Sequence, residues 1–326
     1  MASGWTPSNL SELELDDGEA YHRALYHDGS VEHPTSWHGN SVAHLIDLAV
    51  PHIHDGAFVV DYGTGTGGSA IELLKVLDAR GISINLILID PLVSWFYKAR
   101  EILGERHNIH FELSITEDEN GNMRFRTMQE MLGEQKVDVI ISASTLHLVP
   151  EKALPDLGAQ FASSLKPDGI FVWNSGDIES SLCPADAALL HDPYRMVRAH
   201  LRDDTLRMTR MEEMGDDEAS SFERRVDRIF PIPYSIEIIL DAFDSAGMNS
   251  QLSSHVVEFT SEDAERFILV PRLAAIAAPL HEGDERDSAV KDAIRAVLAK
   301  MRAEGTANEA AYRSHWVYGF HKLALG

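Results

Sequence analysis

Five short apolar segments, separated by segments of helical length, occupy the chain between residues 57 and 176. The predicted strands are 57–63, 84–90, 108–115, 137–144 and 170–176, and the helical segments between them are 69–81, 92–104, 126–134 and 154–165. Strands that alternate with helices form a parallel sheet with helices on both faces. The chain is therefore predicted to be an α/β protein with a doubly wound, Rossmann-like sheet.

The remainder of the chain divides around this core. Residues 1–56, with a predicted helix at 41–53, are expected to form a helical cap, and residues 57–177 form the α/β core. Residues 178–232 are rich in charge and interrupt the alternation, and they leave the ligand face of the sheet, so a helical lid over a substrate is predicted there. Residues 233–326 return to the core with a helix at 234–248 and strands at 253–260 and 315–325.

Composition limits the classes of partner. The net charge of −24 would repel phosphate backbones, which argues against a nucleic-acid partner. No apolar run is long enough to span a membrane, and the first residues do not resemble a signal peptide. The single cysteine, Cys183, allows no internal disulfide and no cysteine-based zinc site. A soluble cytoplasmic protein is expected, and its oligomeric state is left open, a homodimer included.

The segment "VVDYGTGTGG", residues 59–68, fits two glycine loops. Gly63, Gly65 and Gly68 match the G-x-G-x-x-G fingerprint of dinucleotide sites. Gly63, Gly65 and Gly67 match the G-x-G-x-G loop of S-adenosylmethionine (SAM) methyltransferases. Both loops place backbone amides and a helix N-terminus beside a ligand, so the glycines alone do not choose between the two cofactors.

Two aspartates near this loop carry more information. Asp61 lies two residues before Gly63, where dinucleotide sites normally place an apolar residue and where a carboxylate beside a pyrophosphate would be costly. The cationic aminoacyl end of SAM would instead favour it. Asp90 ends the second strand and can accept hydrogen bonds from ribose hydroxyls in either cofactor. Asp61 therefore favours SAM.

The order of motifs along the chain resembles that of the class I SAM-dependent methyltransferases. The matching segments are "VVDYGTGTG", "LILIDP", "VDVIISASTLHLV", "LKPDGIFVW" and "LDAFDSAGM", with "HWVYGFHKLAL" as a final strand. Asp168 replaces the first glycine of the family's turn before the fifth strand, and the 178–232 segment is absent from minimal members. The resemblance implies a seven-stranded sheet whose C-terminal strand is antiparallel, with SAM as the cofactor.

This resemblance also implies a set of cofactor-binding residues. The methionine end of SAM would lie against Asp61 and the loop glycines, and the ribose against Asp90. Leu92 or Pro91 would offer an apolar surface to the adenine. The expected set is Asp61, Gly63, Gly65, Gly67, Asp90, Pro91, Leu92, Ser114, Ile115 and Ser142.

The acceptor site is less determined by the sequence. His147, just beyond the fourth strand, is either a general base or acceptor-orienting group, or a histidine that packs or caps a loop. Trp37 and His38 in the cap, Trp173 at the end of the fifth strand, and Arg195 in the 178–232 segment are candidate substrate contacts. The other histidines, His191 among them, lack metal-binding spacing and are expected to be surface or packing residues, and no metal is expected.

The resulting hypothesis is a SAM-dependent methyltransferase acting on a small organic molecule. An oxygen acceptor, carboxylate or hydroxyl, is favoured over nitrogen or carbon, which makes the chain an expected O-methyltransferase. Two alternatives stay open. One is an NAD-dependent oxidoreductase, and the other is a methyltransferase-like protein that has lost methyl transfer.

Overall fold

The computed structural model describes residues 10–26, 36–104, 106–203, 205–279, 283–308 and 311–324. Its main feature is a seven-stranded sheet. In chain order the strands are β1 (Phe58–Tyr62), β2 (Asn85–Asp90), β3 (Ile109–Leu113), β4 (Ile115–Glu117), β5 (Met123–Phe125), β6 (Val137–Ala143), β7 (Leu165–Ser175), β8 (Met248–Thr260) and β9 (Ala311–Leu323). β4 and β5 form a separate antiparallel hairpin, and the other seven follow the order β3-β2-β1-β6-β7-β9-β8.

Strand directions in the sheet match the prediction. β3, β2, β1, β6 and β7 are mutually parallel, while β9 is antiparallel to both β7 and β8. The predicted seven strands and antiparallel C-terminal strand are confirmed. Residue 325, the last of the predicted final strand, lies outside the described residues.

Helices cover both faces of the sheet. The α-helices are α1 (Glu12–Tyr26), α2 (Trp37–Ala49), α3 (Gly68–Ala79), α4 (Val93–Leu103), α5 (Met128–Leu132), α6 (Leu154–Ser164), α7 (Asp192–His200), α8 (Thr205–Glu213), α9 (Asp216–Ile229), α10 (Ile236–Ser245), α11 (Ser261–Ile268), α12 (Pro271–Ala277) and α13 (Asp284–Glu304). One apolar core joins the sheet to α1–α4, α7, α9 and α11–α13, and the second joins the opposite face to α5, α6 and α10.

The central strands are mostly apolar on both faces because both faces are covered by helices. β2 and β6 each bury every residue but one, whereas the edge strand β8 exposes much of its length. This arrangement places the two cores on opposite sides of β1, β6 and β7. The carboxyl ends of these strands remain the place where a site can form.

Several boundaries differ from the sequence-based expectation, two of them in the first half of the sheet, and β8 and β9 begin earlier than expected, at Met248 and Ala311. The third strand ends at Leu113, because the chain turns at Ser114 and Ile115 begins the β4–β5 hairpin. The turn expected around Asp168, before the fifth strand, lies within β7, where the pairing moves from Val137↔Leu165 to Val139↔Ile170. The extra residues of β7 form an irregularity in the strand, which absorbs the turn that the Pro-Asp-Gly sequence favours.

The segment 178–232 packs onto the body of the molecule. Its helix α7 lies against α13, and α9 lies against α12. Tyr194, Val197, Phe222 and Val226 are buried in the first core. Among the described residues, no helix is both long and apolar enough to cross a membrane.

Candidate active site

The glycine loop follows β1 at the point where the strand order of the sheet reverses. Gly63, Gly65 and Gly67 all have positive φ, at 77°, 55° and 88°. The amides of Gly63 and Thr64 donate to the carbonyl of Ile89, at 2.8 and 3.1 Å, which fixes the loop to the end of β2. Such reversal points form the crevice in which doubly wound sheets bind ligands.

Gly63 is required by the close approach of the next strand connection. Thr145, just after β6, donates from Oγ1 to the carbonyl of Gly63 at 3.2 Å. A Cβ added at Gly63 would lie only 2.2 Å from that Oγ1. Only glycine therefore allows the loop after β1 and the loop after β6 to meet here.

Asp61 is buried beneath the loop with one oxygen unsatisfied. Its Oδ2 accepts from the hydroxyls of Thr64 and Ser69, both at 2.7 Å. Its Oδ1 is buried and forms no hydrogen bond of good geometry with a described residue. Burial raises the pKa of Asp61 to about 6, against the lowering effect of the two hydroxyls and the nearby Ala70 amide. A buried carboxylate with a free oxygen is a site for a cation or a donor group.

Asp90 holds the other side of the loop. Its Oδ2 accepts from the Gly65 amide at 2.8 Å and its Oδ1 from the Leu92 amide at 2.7 Å. Burial raises the pKa of Asp90 to about 6, and the carboxylate of Asp61 adds to that effect. Each carboxylate oxygen keeps one lone pair, since a carboxylate has about four acceptor positions.

The other predicted cofactor residues surround this carboxylate. Ser114 is buried and its amide donates to the carbonyl of Asp90 at 3.0 Å, and Ile115 follows at the start of β4. Pro91 and Leu92 are half-buried at the start of α4. Ser142 uses its hydroxyl to bond the carbonyl of Tyr62 at 2.9 Å, so its side chain links β6 to β1.

Helix α1 covers the loop, and it lies in the N-terminal segment that was expected to cap it, although the sequence analysis placed a helix only at 41–53. Tyr21 stacks on Trp95, and both rings lie within 4 Å of where a Cβ on Gly65 would stand. The hydroxyl of Tyr26 donates to the carbonyl of Gly68 at 3.1 Å. The indole of Trp95 donates to Asp17 at 2.8 Å, which connects α4 to α1.

Trp37 and His38 lie at the start of α2, on the same side of the sheet as the loop. Trp37 donates to the carbonyl of Ala24 at 3.0 Å and stacks on Phe259, so it joins α2 to its neighbours. His38 is buried, both of its ring nitrogens lack a partner among the described residues, and burial lowers its pKa to about 3. Its Nε2 is 2.3 Å from where a Cβ on Gly68 would lie, which places the ring at the N-terminus of α3.

A cluster of ionisable residues lies beyond the ends of β6 and β7. His147 is buried in a short 3₁₀ turn, and its Nδ1 is 3.0 Å from Oγ of Ser175. Asp177 accepts from Nδ1 of His191 at 3.1 Å and from the His191 amide at 3.2 Å. The rings of His147 and His191 are 5.2 Å apart, nearly perpendicular.

Arg195 neutralises this cluster. Its guanidinium bonds both oxygens of Asp177, with 3.0 Å from Nη1 to Oδ1, and also the carbonyl of Pro231 at 2.8 Å. Burial raises the pKa of Asp177, but His191 and Arg195 outweigh that effect and hold the pKa below its ordinary value. Burial lowers the pKa of His147 to about 3, and the nearby His191 adds to that effect. The cluster therefore combines one ionised carboxylate with a neutral His147.

Geometry alone would let this cluster hold a metal ion. One ligand atom from each of His147, Asp177 and His191 lies within 4.8 Å of the others. The bidentate pair between Arg195 and Asp177 opposes this, because the guanidinium already uses both carboxylate oxygens and would repel a divalent cation.

Trp173 is not brought to this cluster. It is fully buried in the core on the α6 and α10 side, and its indole donates to Nε2 of His321 at 2.7 Å. The ring contacts Gly319 of β9 so closely that a Cβ there would lie 2.2 Å from the indole nitrogen.

Ser144 is a further residue that sequence reasoning missed. It lies between β6 and Thr145, it has a positive φ of 52°, and its hydroxyl is buried without a partner among the described residues. Its amide donates to the carbonyl and the side-chain oxygen of Asn174. A non-glycine residue in this conformation stores strain, as functional sites often do.

The family is decided by the match of residues 53–216, just over half of the chain, to the model of the methyltransferase domain. The chain belongs to the methyltransferase domain family. The matched region contains β1 to β7 with the glycine loop, Asp61, Asp90 and His147. The predictions of a class I SAM-dependent methyltransferase and of SAM as its cofactor are confirmed.

Several solved structures have the same fold as this chain. The cyclopropane synthase MmaA2 from Mycobacterium tuberculosis superposes with a TM-score of 0.52 at 11% identity, covering 97% of this chain and 100% of that chain. Phosphoethanolamine N-methyltransferase 2 from Haemonchus contortus, in complex with S-adenosyl-L-methionine, has a TM-score of 0.50 at 14% identity, covering 98% and 62%. None of the curated proteins matches the sequence. The structural likeness at these identities concerns the fold.

The residues of the loop fit SAM better than a dinucleotide. The free Oδ1 of Asp61 is a buried acceptor, and a pyrophosphate next to it would add negative charge to an unsatisfied carboxylate. An ammonium group would satisfy this oxygen and favour its ionised form.

Proposed function

We propose that the methyltransferase transfers the methyl group of SAM to an oxygen of a small organic molecule, and that this oxygen belongs to a hydroxyl group. The observation that supports this is the buried cluster of His147, Asp177 and His191, next to the loop that approaches Gly63. A carboxylate acceptor needs no base, whereas a hydroxyl must lose its proton during the transfer. A buried cluster of two histidines and a carboxylate can accept this proton, so it suits a hydroxyl acceptor better than a carboxylate acceptor.

The cofactor-binding residues in this proposal follow the sequence-based set. Asp61 would accept from the ammonium of SAM through its free Oδ1. Asp90 would accept from the ribose hydroxyls with the lone pairs that Gly65 and Leu92 leave open. Pro91, Leu92, Ser114 and Ile115 would form the adenine surface, and Gly63, Gly65, Gly67 and Ser142 would shape the crevice. When bound, SAM supplies an electrophilic methyl group on a sulfonium.

His147 is proposed to contact the acceptor. It follows Thr145, which meets the glycine loop, by only two residues, so it lies close to the methionine end of the proposed cofactor site. A pKa of about 3 keeps its imidazole neutral, so it can donate or accept a hydrogen bond without adding charge.

The elements around the cluster are proposed to enclose the acceptor. The described parts of the 1–56 segment, residues 10–26 and 36–56, would form the cap, with Trp37 and His38 on its inner side; residues 1–9 and 27–35 lie outside the described residues. The 57–177 and 233–326 segments would form the core. The 178–232 segment would act as the lid, anchored by Arg195 to Asp177. The negative charge of the chain suits a small molecule better than a nucleic acid.

An assay with methyl-labelled SAM tests this function. It uses three classes of acceptor: hydroxyl compounds (phenols and alcohols), carboxylic acids, and amines. We expect label in the hydroxyl class, together with stoichiometric S-adenosylhomocysteine. Transfer confined to amines, carboxylates or carbon would contradict the proposed acceptor. Tight binding of SAM with no product in any class would favour a protein that has lost methyl transfer.

A further inference from the structure

The two histidines of the cluster are held in different ways. Asp177 is an ionised carboxylate and can only accept hydrogen bonds, so Nδ1 of His191 must donate to it. In the neutral form of the ring, which has a single N–H, this donation leaves the lone pair on Nε2. No hydrogen bond to this Nε2 is formed by any residue within the described part of the chain.

The tautomer of His147 is not determined in this way. Its Nδ1 faces the hydroxyl of Ser175, which can donate or accept, so neither tautomer is imposed. The same hydroxyl accepts from the amide of Asp177 at 3.1 Å. Because burial holds its pKa at about 3, His147 is also a poor proton acceptor near neutral pH.

We infer that His191, oriented by Asp177, is the general base that removes the proton from the acceptor hydroxyl, and that His147 orients the same oxygen. This inference rests on the proposed function. One ring nitrogen of each histidine and one oxygen of Asp177 lie within 4.8 Å of one another, so the two rings border the small volume in which the acceptor oxygen would bind.

The acceptor oxygen forms a bond to the methyl carbon, and the carbon–sulfur bond breaks with its electron pair remaining on sulfur. The hydroxyl proton passes to Nε2 of His191, and the resulting imidazolium is stabilised by Asp177. Solvent then takes this proton, which restores the base.

Other charged and titratable groups surround His191. Asp177 and Arg195 form the ion pair behind it, Asp192 follows it at the start of α7, and the rings of His147 and Tyr194 face it. Arg195 offsets the charge of Asp177, so Asp177 orients His191 without placing an uncompensated charge in the core.

The matched variants are His191→Asn and His147→Asn. An asparagine amide N–H can replace the Nδ1–H of His191 towards Asp177 but offers no basic nitrogen. Phenol and 4-nitrophenol are the acceptors, at a pH where 4-nitrophenol is already ionised and phenol is not. We expect His191→Asn to lower turnover of phenol about 10²- to 10⁴-fold and turnover of 4-nitrophenol less than tenfold. His147→Asn should affect both acceptors to a similar extent, and both variants should bind S-adenosylhomocysteine as the wild type does.

Three results would overturn the inference. If His191→Asn lowered turnover of phenol and of 4-nitrophenol by the same factor, His191 would have a structural role. If a chelator abolished the activity of the wild type and a divalent ion restored it, the cluster would be a metal site. Ring ¹⁵N shifts showing His191 protonated on Nε2 would contradict the tautomer, and this measurement needs no acceptor. Failure of the wild type to methylate any hydroxyl compound would instead contradict the proposed function, and His191 would then have no proton to remove.

Discussion

The ring of Tyr21 stacks on the indole of Trp95 with centroids 3.7 Å apart and planes 10° from parallel. This pair covers Gly65, and Asp17 holds it in place through the indole nitrogen of Trp95 and through Arg272. The stack therefore occupies the face of the loop on which the cofactor is proposed to lie. The proposed position of the cofactor would overlap with this arrangement of α1.

We expect Tyr21→Ala to speed the association of S-adenosylhomocysteine. Separating a stacked aromatic pair costs about 0.5–1.5 kcal/mol, which corresponds to an increase of roughly two- to tenfold in the association rate. Stopped-flow tryptophan fluorescence measures this association rate. Tyr21→Phe keeps the ring and should leave the rate unchanged, so a faster rate in both variants would contradict this overlap.

Asp61→Asn is expected to weaken SAM binding with the fold intact. The amide oxygen can still accept from Thr64 and Ser69, but it no longer carries the charge that an ammonium would meet. A hydrogen bond to a charged group contributes about 1.5–3 kcal/mol, so the Kd should rise roughly 10- to 100-fold. Calorimetry would measure it, with Asp78→Asn as the control because Asp78 lies on the surface, paired with Arg106. An unchanged Kd would remove Asp61 from the binding site.

SAM affinity should also depend on pH. Burial raises the pKa of both Asp61 and Asp90 to about 6, from 3.8 in the unfolded chain. In the free protein the stability from these two groups is present below about pH 4 and is lost as the pH rises through 6. Ionisation of Asp61 favours the ammonium of the ligand, so the Kd should fall about tenfold between pH 5 and pH 7.5. Titrations in buffers of different ionisation enthalpy should show proton release near pH 6, and Asp61→Asn should reduce that release. Constant affinity across this range would contradict the assignment.

Gly63→Ala should be far more damaging than Gly81→Ala. Both glycines have positive φ, at 77° and 69°, so both variants pay the cost of a left-handed residue, about 1–2 kcal/mol. Only at Gly63 would the new Cβ clash, with Thr145, whereas nothing lies within 4 Å at Gly81. Thermal unfolding with and without S-adenosylhomocysteine compares them. Equal melting temperatures and equal affinities would mean that Thr145 moves away at little cost.

The sheet was predictable from the sequence because its central strands are apolar on both faces and each is followed by a turn signal. The β4–β5 hairpin was not, since Met123 and Phe125 are exposed and short exposed strands leave no periodic pattern. Helix α1 was missed for a related reason. The partly buried Tyr21 and the buried Tyr26 contact the loop as single aromatic groups and do not form a regular apolar face.

The site was predictable where position along a strand determines a role. Asp61 and Asp90 follow directly from the ends of β1 and β2, and the structure places both against the loop. His191 could not be found this way, because its partner Asp177 is fourteen residues earlier and only the packing of α7 joins them. For Trp173 the predicted position was right but the predicted role was not. Its place at the end of β7 is right, but the alternation of side chains along the strand points it into the opposite core.

The position of β9 in the sheet has a consequence for how the protein is made. Ile170 of β7 pairs with Lys322, so two central neighbours are separated by nearly half of the chain. Until residues 311–323 leave the ribosome, β7 and β8 both present unpaired edges, for on the order of ten seconds at usual rates of translation. Open strand edges invite pairing with other nascent chains. The nascent polypeptide should therefore depend on holding chaperones until β9 emerges, while most of the core already exists but the sheet is still divided.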